Sequence, residues 1–340
     1  MPQEFGAWST VHNRFRQWPD AGVLEALLEG LIASGAGVAP TVSAMDLYGA
    51  FRAEAIEQGV SSADVDTYLA DGRPCLRLGR GPGPVAGWVG GLPVLPDGVA
   101  WPRADGRDHD VEAEPFPLAV TIDLAALPWE GLREALPFTL PATGLLQLFY
   151  LYSQDPLSQR CTGEEEALGF VRVIHVPDPG LAEQRAVPEY AHAEKWPVPV
   201  HERVELRAAL RIDIPGFDPD YGIEKPGLPA DHPHAAVLKD LTLRFLPVGP
   251  WWEGVQVGGH AWGEQWECED VIAAELAPPG EDSSSKARQE RKQQVYREWL
   301  PLAQFSVQDA KYTNARLMIR REDLAAARFD RLRSYQEFTE

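Results

Sequence analysis

Val89-Gly90-Gly91-Leu92-Pro93, followed by Pro117-Leu118-Ala119-Val120-Thr121-Ile122 and Gly144-Leu145-Leu146-Gln147-Leu148-Phe149, has a counterpart later in the chain. There Val257-Gly258-Gly259-His260 precedes Pro301-Leu302-Ala303-Gln304-Phe305-Ser306-Val307 and Ala315-Arg316-Leu317-Met318-Ile319. A Gly-Gly turn followed by two short apolar runs, in the same order twice, reads as two copies of one strand-forming unit. The expected fold is α+β: two pseudo-repeated, mostly antiparallel sheet units sharing a core, with an N-terminal helical segment packed on them. The units span about 73–214 and 236–335 and are joined by a Pro-rich loop, 215–235.

Working outward, Leu118 to Asp123, Leu145 to Tyr152 and Phe170 to Val176 read as strands. The last two are nearly continuous in apolar or aromatic residues, which predicts burial in the middle of a sheet. From Val204 to Ile214 the even-numbered residues are apolar and the odd ones charged except Ala209, the pattern of a strand with one face on a core and one in water. Residues 1–72 read as a helical extension. Asp20 caps a helix that ends at Gly35 and Gly37, a second runs from Ser43 to Gly59, and a third from Ser62 to Gly72. Lys286 to Leu300 predicts a mostly polar helix with Val295 and Trp299 as its docking stripe.

The run Trp88 to Pro102, continued by Pro117 to Leu124 and Leu140 to Tyr150, resembles the YwqG-like family of bacterial proteins. The Gly-Gly-x-Pro, Trp-Pro and Leu-Gln-Leu-Phe-Tyr elements carry the likeness, and Ala315 to Phe329 resembles the end of the same domain. The resemblance covers residues 73–335 and implies one α+β domain of unknown function, with no catalytic residues to carry over. It also implies a bacterial setting and an immunity-like role toward a basic toxin, from the gene context of some relatives. The chain departs from the family pattern at Gln304 to Asp309, where a Trp-Gly-Asp-bearing stretch is replaced, and residues 1–72 have no counterpart.

Composition narrows the partners. With 51 acidic against 31 basic residues the formal charge is −20, which repels nucleic-acid backbones and anionic membranes at long range. No run approaches the ~20 apolar residues of a membrane span. Cys75, Cys161 and Cys268 are odd in number and far apart, which points to a reducing, cytoplasmic compartment. Acidic neighbours at Cys161 and Cys268 predict thiols that resist ionisation.

No GxSxG elbow, HExxH, CxxC pair or Walker loop is present, so whether the protein is an enzyme is left open. Gly79 to Pro84 lacks a following helix to present to a phosphate. Asp231-His232-Pro233-His234 could begin a metal shell with His260 or Glu264, but loop histidines commonly face solvent, and neither a metal nor another cofactor is expected. The leading expectation is a binding protein. Residues 245–285 contain no Lys or Arg and interleave tryptophans with carboxylates, so Trp251, Trp252, Trp262, Glu264, Trp266, Glu267, Glu269 and Asp270 are read as an acidic, Trp-rich surface for a basic protein partner. The competing reading is a small-ligand binder or enzyme that uses a cleft between the two units, lined by Trp88, Trp101, Asp123, Gln147 and His260.

Overall fold

A computed structural model describes residues 44–340 except positions 71, 82, 104–114, 130–131, 134–135, 152–170, 191–192, 195–196, 215–231, 246–253, 262, 264–266, 279–284, 308–312 and 339–340. Two compact units divide the chain, Met1–Val42 and Ser43–Glu340. The first, with the expected helix after Asp20, lies outside the described residues, as does the expected loop up to residue 231.

Twelve strands are described. Ten form one antiparallel sheet: β1 (Arg73–Gly79), β2 (Val85–Val89), β4 (Leu118–Asp123), β5 (Leu145–Tyr150), β6 (Val171–Val176), β8 (Val204–Asp213), β9 (Gly254–Gly258), β10 (Trp299–Ser306), β11 (Thr313–Arg320) and β12 (Arg333–Phe338). The other two, β3 (Val94–Pro96) and β7 (Ala182–Gln184), pair apart from it. The spatial order is β12-β11-β10-β9-β1-β8-β2-β4-β5-β6. From the central β1–β8 pair, the chain therefore steps outward through β2, β4, β5 and β6 on one side and through β9 to β12 on the other. β2 and β9 each run into a Gly-Gly pair, and all four of these glycines have positive φ, 71° and 81° in the first pair and 76° and 77° in the second. Only glycine takes that backbone twice in succession without a steric penalty.

The sheet curls until its two ends approach. Tyr150 on β5 donates its hydroxyl to Gln336 on β12 at 3.0 Å and meets Phe305 of β10 edge-on. His175 of β6 meets Phe329 just before β12. This near-barrel has one interior: Leu76, Ile122, Leu146 and Leu148 pack in the same cluster as Val257, Leu302, Leu317 and Ile319. Leu124, Leu132, Leu136 and Leu140, on the connection from β4 to β5, complete that cluster.

Helices pack outside. Helix α1 (Ala44–Glu57) and α2 (Ser62–Ala70) match expectation. Ser61 caps α2, its hydroxyl accepting from the Asp64 amide at 3.1 Å, and Gly59 at φ 87° ends α1. Phe51, Ala55, Val65 and Leu69 pack with Ile212 and Ile214 and with Leu238 and Leu241 of α3 (Ala235–Phe245). Farther along, α4 (Cys268–Glu275) and α5 (Ser285–Glu298) cover Trp299, Met318 and Tyr335, with Val295 in the seam. A short α6 (Arg321–Ala325) follows β11.

Three details differ from the sequence reading. Neither α3 nor α4 was expected. Trp299 continues the apolar stripe of α5 but is the first residue of β10. Asp213, on the expected wet face of β8, is fully buried, because the turn after β9 folds over the end of that strand. Among the described residues, no helix is long and apolar enough to cross a membrane.

Candidate functional site

The five residues expected to line a cleft are each fixed in a local role. Gln147 is buried on β5 and closes a two-point bridge to β3: its Oε1 accepts from the Val94 amide at 2.8 Å and its Nε2 donates to the Val94 carbonyl at 2.7 Å. Trp101 donates Nε1–H to the Phe116 carbonyl at 2.8 Å and stands edge-on to Phe149. Asp123 caps the turn at Leu124–Ala126 by accepting from the Ala125 amide. The Trp88 ring lies under the Arg203 guanidinium, 3.8 Å from its centroid. His260 is held through its backbone, its N–H donating to Asp213 Oδ2 at 2.7 Å and its carbonyl accepting from Gln304 Nε2 at 2.7 Å. Trp101 and Gln147 come together beside β3, whereas His260 follows β9 in the other half of the sheet. Neither of the two concavities beside β11 is lined by any of the five.

Around His260 the Gly-Gly turn is tightly enclosed. Asp213 Oδ2 also accepts from Gln256 Nε2 at 2.9 Å, and a Cβ on Gly259 would lie 2.6 Å from both of these atoms. Burial, reinforced by the nearby Asp213 carboxylate, pushes the Cys75 thiol well up, so it is not a reactive thiolate. Burial raises the Cys268 thiol in the same way. Cys161 is outside the described residues.

Of the expected acidic, Trp-rich surface, Trp251, Trp252, Trp262, Glu264 and Trp266 lie outside the described residues. The remaining three do not form an exposed rim. Glu267 and Glu269 are only 5% and 3% exposed at the start of α4, turned under α5. Lys292 Nζ is 2.5 Å from Glu267 and 2.8 Å from Asp270, and Tyr296 donates its hydroxyl to Glu267 at 2.8 Å. Arg288 lies 3.6 Å from Asp270. Burial raises the Glu269 carboxyl to about 7, with the neighbouring Glu267 adding to the shift. Glu267 and Asp270 bind α4 to α5, and Glu269 is buried, so none of the three forms a charged rim facing solvent.

His232 and His234 lie 5.8 Å apart, ring to ring, and His232 approaches Asp64 at 3.6 Å. Asp231 is outside the described residues. Among the described residues, no group of three or more His, Cys, Asp or Glu side chains is placed to hold a metal ion.

What the fold does assemble is a basic groove. Residues 286–333 carry twelve Lys and Arg against six Asp and Glu, in a chain whose total is −20. The C-terminal half of α5, the end of β11 and the start of α6 enclose a concavity of about 810 Å³ lined by Arg291, Arg297, Arg320 and Arg321, with Glu298 and Glu322 as its acids. Arg321 is pinned there. Its Nε–H donates to the Arg297 carbonyl at 2.9 Å, its Nη1 donates to the Pro137 carbonyl at 2.7 Å, and burial together with nearby Arg73 lowers its pKa. Arg73 donates to the neighbouring Tyr296 carbonyl at 3.2 Å, so two guanidinium groups satisfy the last carbonyls of α5, where the helix dipole favours cations. Arg320 lies 5.3 Å from the Trp299 ring centroid, and Arg333, paired to Glu275, lies 5.2 Å from it. Among the described residues, the nearest carboxylate to Arg320 is Glu322, at 3.8 Å. Among the described residues, no carboxylate pairs with the exposed Arg297. Sequence reasoning missed this groove, although the local excess of arginine after residue 285 was available to it.

The fold and the groove define an α+β protein built on one curled antiparallel sheet, with a cationic concavity on its helical flank. The chain belongs to the family described as Domain of unknown function (DUF1963), whose model matches residues 88–336. No curated protein matches it.

Proposed function

We propose that this protein works by binding, and that its ligand carries phosphate or carboxylate groups held in the arginine groove. The observation that carries the reading is the convergence of Arg297, Arg320 and Arg321 on one concavity, with one weak carboxylate contact among them in the described residues. Guanidinium groups present paired donors that match the geometry of oxyanions, and a cationic cleft on an acidic protein concentrates anions locally. A volume of about 810 Å³ suits a small molecule. The expected ligand-binder reading is thus kept and relocated from the seam between units to the α5–α6 flank.

The test is thermal unfolding in inorganic phosphate and in citrate against chloride at matched ionic strength, since a ligand of the native state raises its melting temperature. The expected result is a rise with at least one oxyanion that is lost in Arg297→Gln and in Arg320→Gln. No rise with either, or a rise unchanged in both variants, overturns the reading.

A basic protein partner at the segment around Trp251 to Trp266 is the second reading. What favours it is composition: residues 245–266 hold no Lys or Arg and interleave Trp251, Trp252, Trp262 and Trp266 with Glu253 and Glu264. A cytoplasmic, immunity-like role in a bacterium, as in the YwqG-like resemblance, belongs to this reading. Capture of a basic protein that is lost on neutralising Glu264 would favour it over the groove.

We also infer that the two sheet halves descend from one duplicated unit. The strand order reads outward identically from β1–β8, and both Gly-Gly pairs share a left-handed backbone. β8 then opens the second copy, whereas the expected bound at 214 puts it at the end of the first, and β1 pairs with β9 of the other copy, and β8 with β2, as an exchange of first strands.

A further inference from the structure

The arginine groove has a smaller neighbour. A second concavity of about 260 Å³ lies between the end of β11 and the start of β12, lined by Arg328, Arg331 and Arg333 together with Trp299, and by the carboxylates Asp323 and Asp330. The two share Arg320 and Glu322, which stand on the saddle between them. Arginines outnumber carboxylates in both, four to two in the first and four to three in the second, and the Arg320 guanidinium belongs to each. Arg333 is buried and paired to Glu275, and Arg328 is paired to Asp323, so these two form the wall. Arg331 is exposed, and among the described residues its nearest carboxylate, Asp330 at 3.8 Å, is its own chain neighbour. Arg331 is thus the cation of the second concavity best placed to meet a ligand, as Arg297 is in the first.

We propose that the site takes a ligand with two or more oxyanion groups, one held at Arg297 and Arg321 and another at Arg331, with Arg320 bridging the saddle. This rests on the groove being an anion site and adds that the ligand is a polyanion that spans both concavities. A single phosphate occupies one arm. A linked pair engages the second arm intramolecularly, which raises affinity without any new kind of contact. Glu322, exposed and only loosely held by Arg320, swings aside as the ligand takes over that guanidinium.

Isothermal titration of the full chain at constant ionic strength, with phosphate, pyrophosphate and tripolyphosphate and in parallel with acetate and citrate, tests this. The expected result is a gain of at least about tenfold from the mono-anion to the longest member of one series, which also says whether phosphate or carboxylate is read. Arg331→Gln should bring the polyanion down toward the mono-anion, so that the gain along the series is lost. Arg297→Gln should weaken both. Mono-anion binding with no gain along either series, or a gain that Arg331→Gln leaves intact, overturns the two-arm proposal and leaves the groove standing. Absence of all binding removes the groove reading itself. Circular dichroism of Arg331→Gln, an exposed site, separates lost affinity from lost fold.

Discussion

Replacing Gly259 by alanine should destabilise the protein by about 2–4 kcal/mol, from a left-handed residue and a buried bond lost together. The backbone at Gly259 has φ 77°, where a Cβ costs roughly 1 kcal/mol or more. The added methyl would also stand 2.6 Å from Asp213 Oδ2 and Gln256 Nε2, well inside ordinary contact. These two atoms are bonded to each other at 2.9 Å, and Oδ2 accepts from His260 N–H as well, so making room separates at least one pair in a dry interior. A buried polar group left unmatched costs about 1–3 kcal/mol. Gly91→Ala in the first Gly-Gly turn is the control. Its φ is 81°, but the nearest atom to its new Cβ is Arg203 Cβ at 3.6 Å, so only the backbone cost applies. Urea unfolding of both variants, read as midpoints at unchanged slope, measures the difference. Equal losses in the two variants would refute the argument, as would full additivity of Gly259→Ala with Asp213→Ala, because residues in one network must couple.

Other expectations follow from the same geometry. Glu269 titrates near 7 when folded and at the ordinary 4.5 when unfolded, so the folded state holds its proton more tightly. Its contribution is intact below pH 4.5 and lost as pH rises to about 7, so Glu269→Gln should match the parent in acid and exceed it by up to about 3 kcal/mol at pH 8, measured by urea titration across pH. Lys292→Met should cost about 3 kcal/mol by leaving Glu267 buried without its cation, a loss that high salt does not abolish as it would for a surface pair. Tyr150→Phe should lower stability by about 1 kcal/mol through the lost bond to Gln336, and amide exchange should rise in β12 if that bond ties the curled sheet together.

How much could be read in advance divides by the range of the interaction involved. The strands β4, β5, β6 and β8 and the helices α1, α2 and α5 were legible because period-two and period-3.6 patterns are properties of neighbouring residues. Helix α3 was missed although Leu238 and Leu241 keep helical spacing, because prolines up to residue 233 dominated the reading of that region. Helix α4 was missed because its carboxylates were counted as surface charge. Composition has no direction, and Glu267 turns inward where α5 brings Lys292 and Tyr296 over it. The five cleft candidates were plausible types, yet each is already engaged by a backbone or side-chain neighbour that no spacing rule reveals.

By itself the sequence determined the α+β class, an antiparallel sheet and the Gly-Gly positions, since alternation and left-handed backbone are local demands of the chain. Tertiary structure alone decided which charges are used up and which remain available. Lys292 is consumed by the acids of α4, whereas Arg297, Arg320 and Arg321 are gathered by the junctions of α5, β11 and α6 into one groove. The physical reason is that burial and ion pairing depend on what lies across the gap, and here the facing groups come from segments more than twenty residues apart.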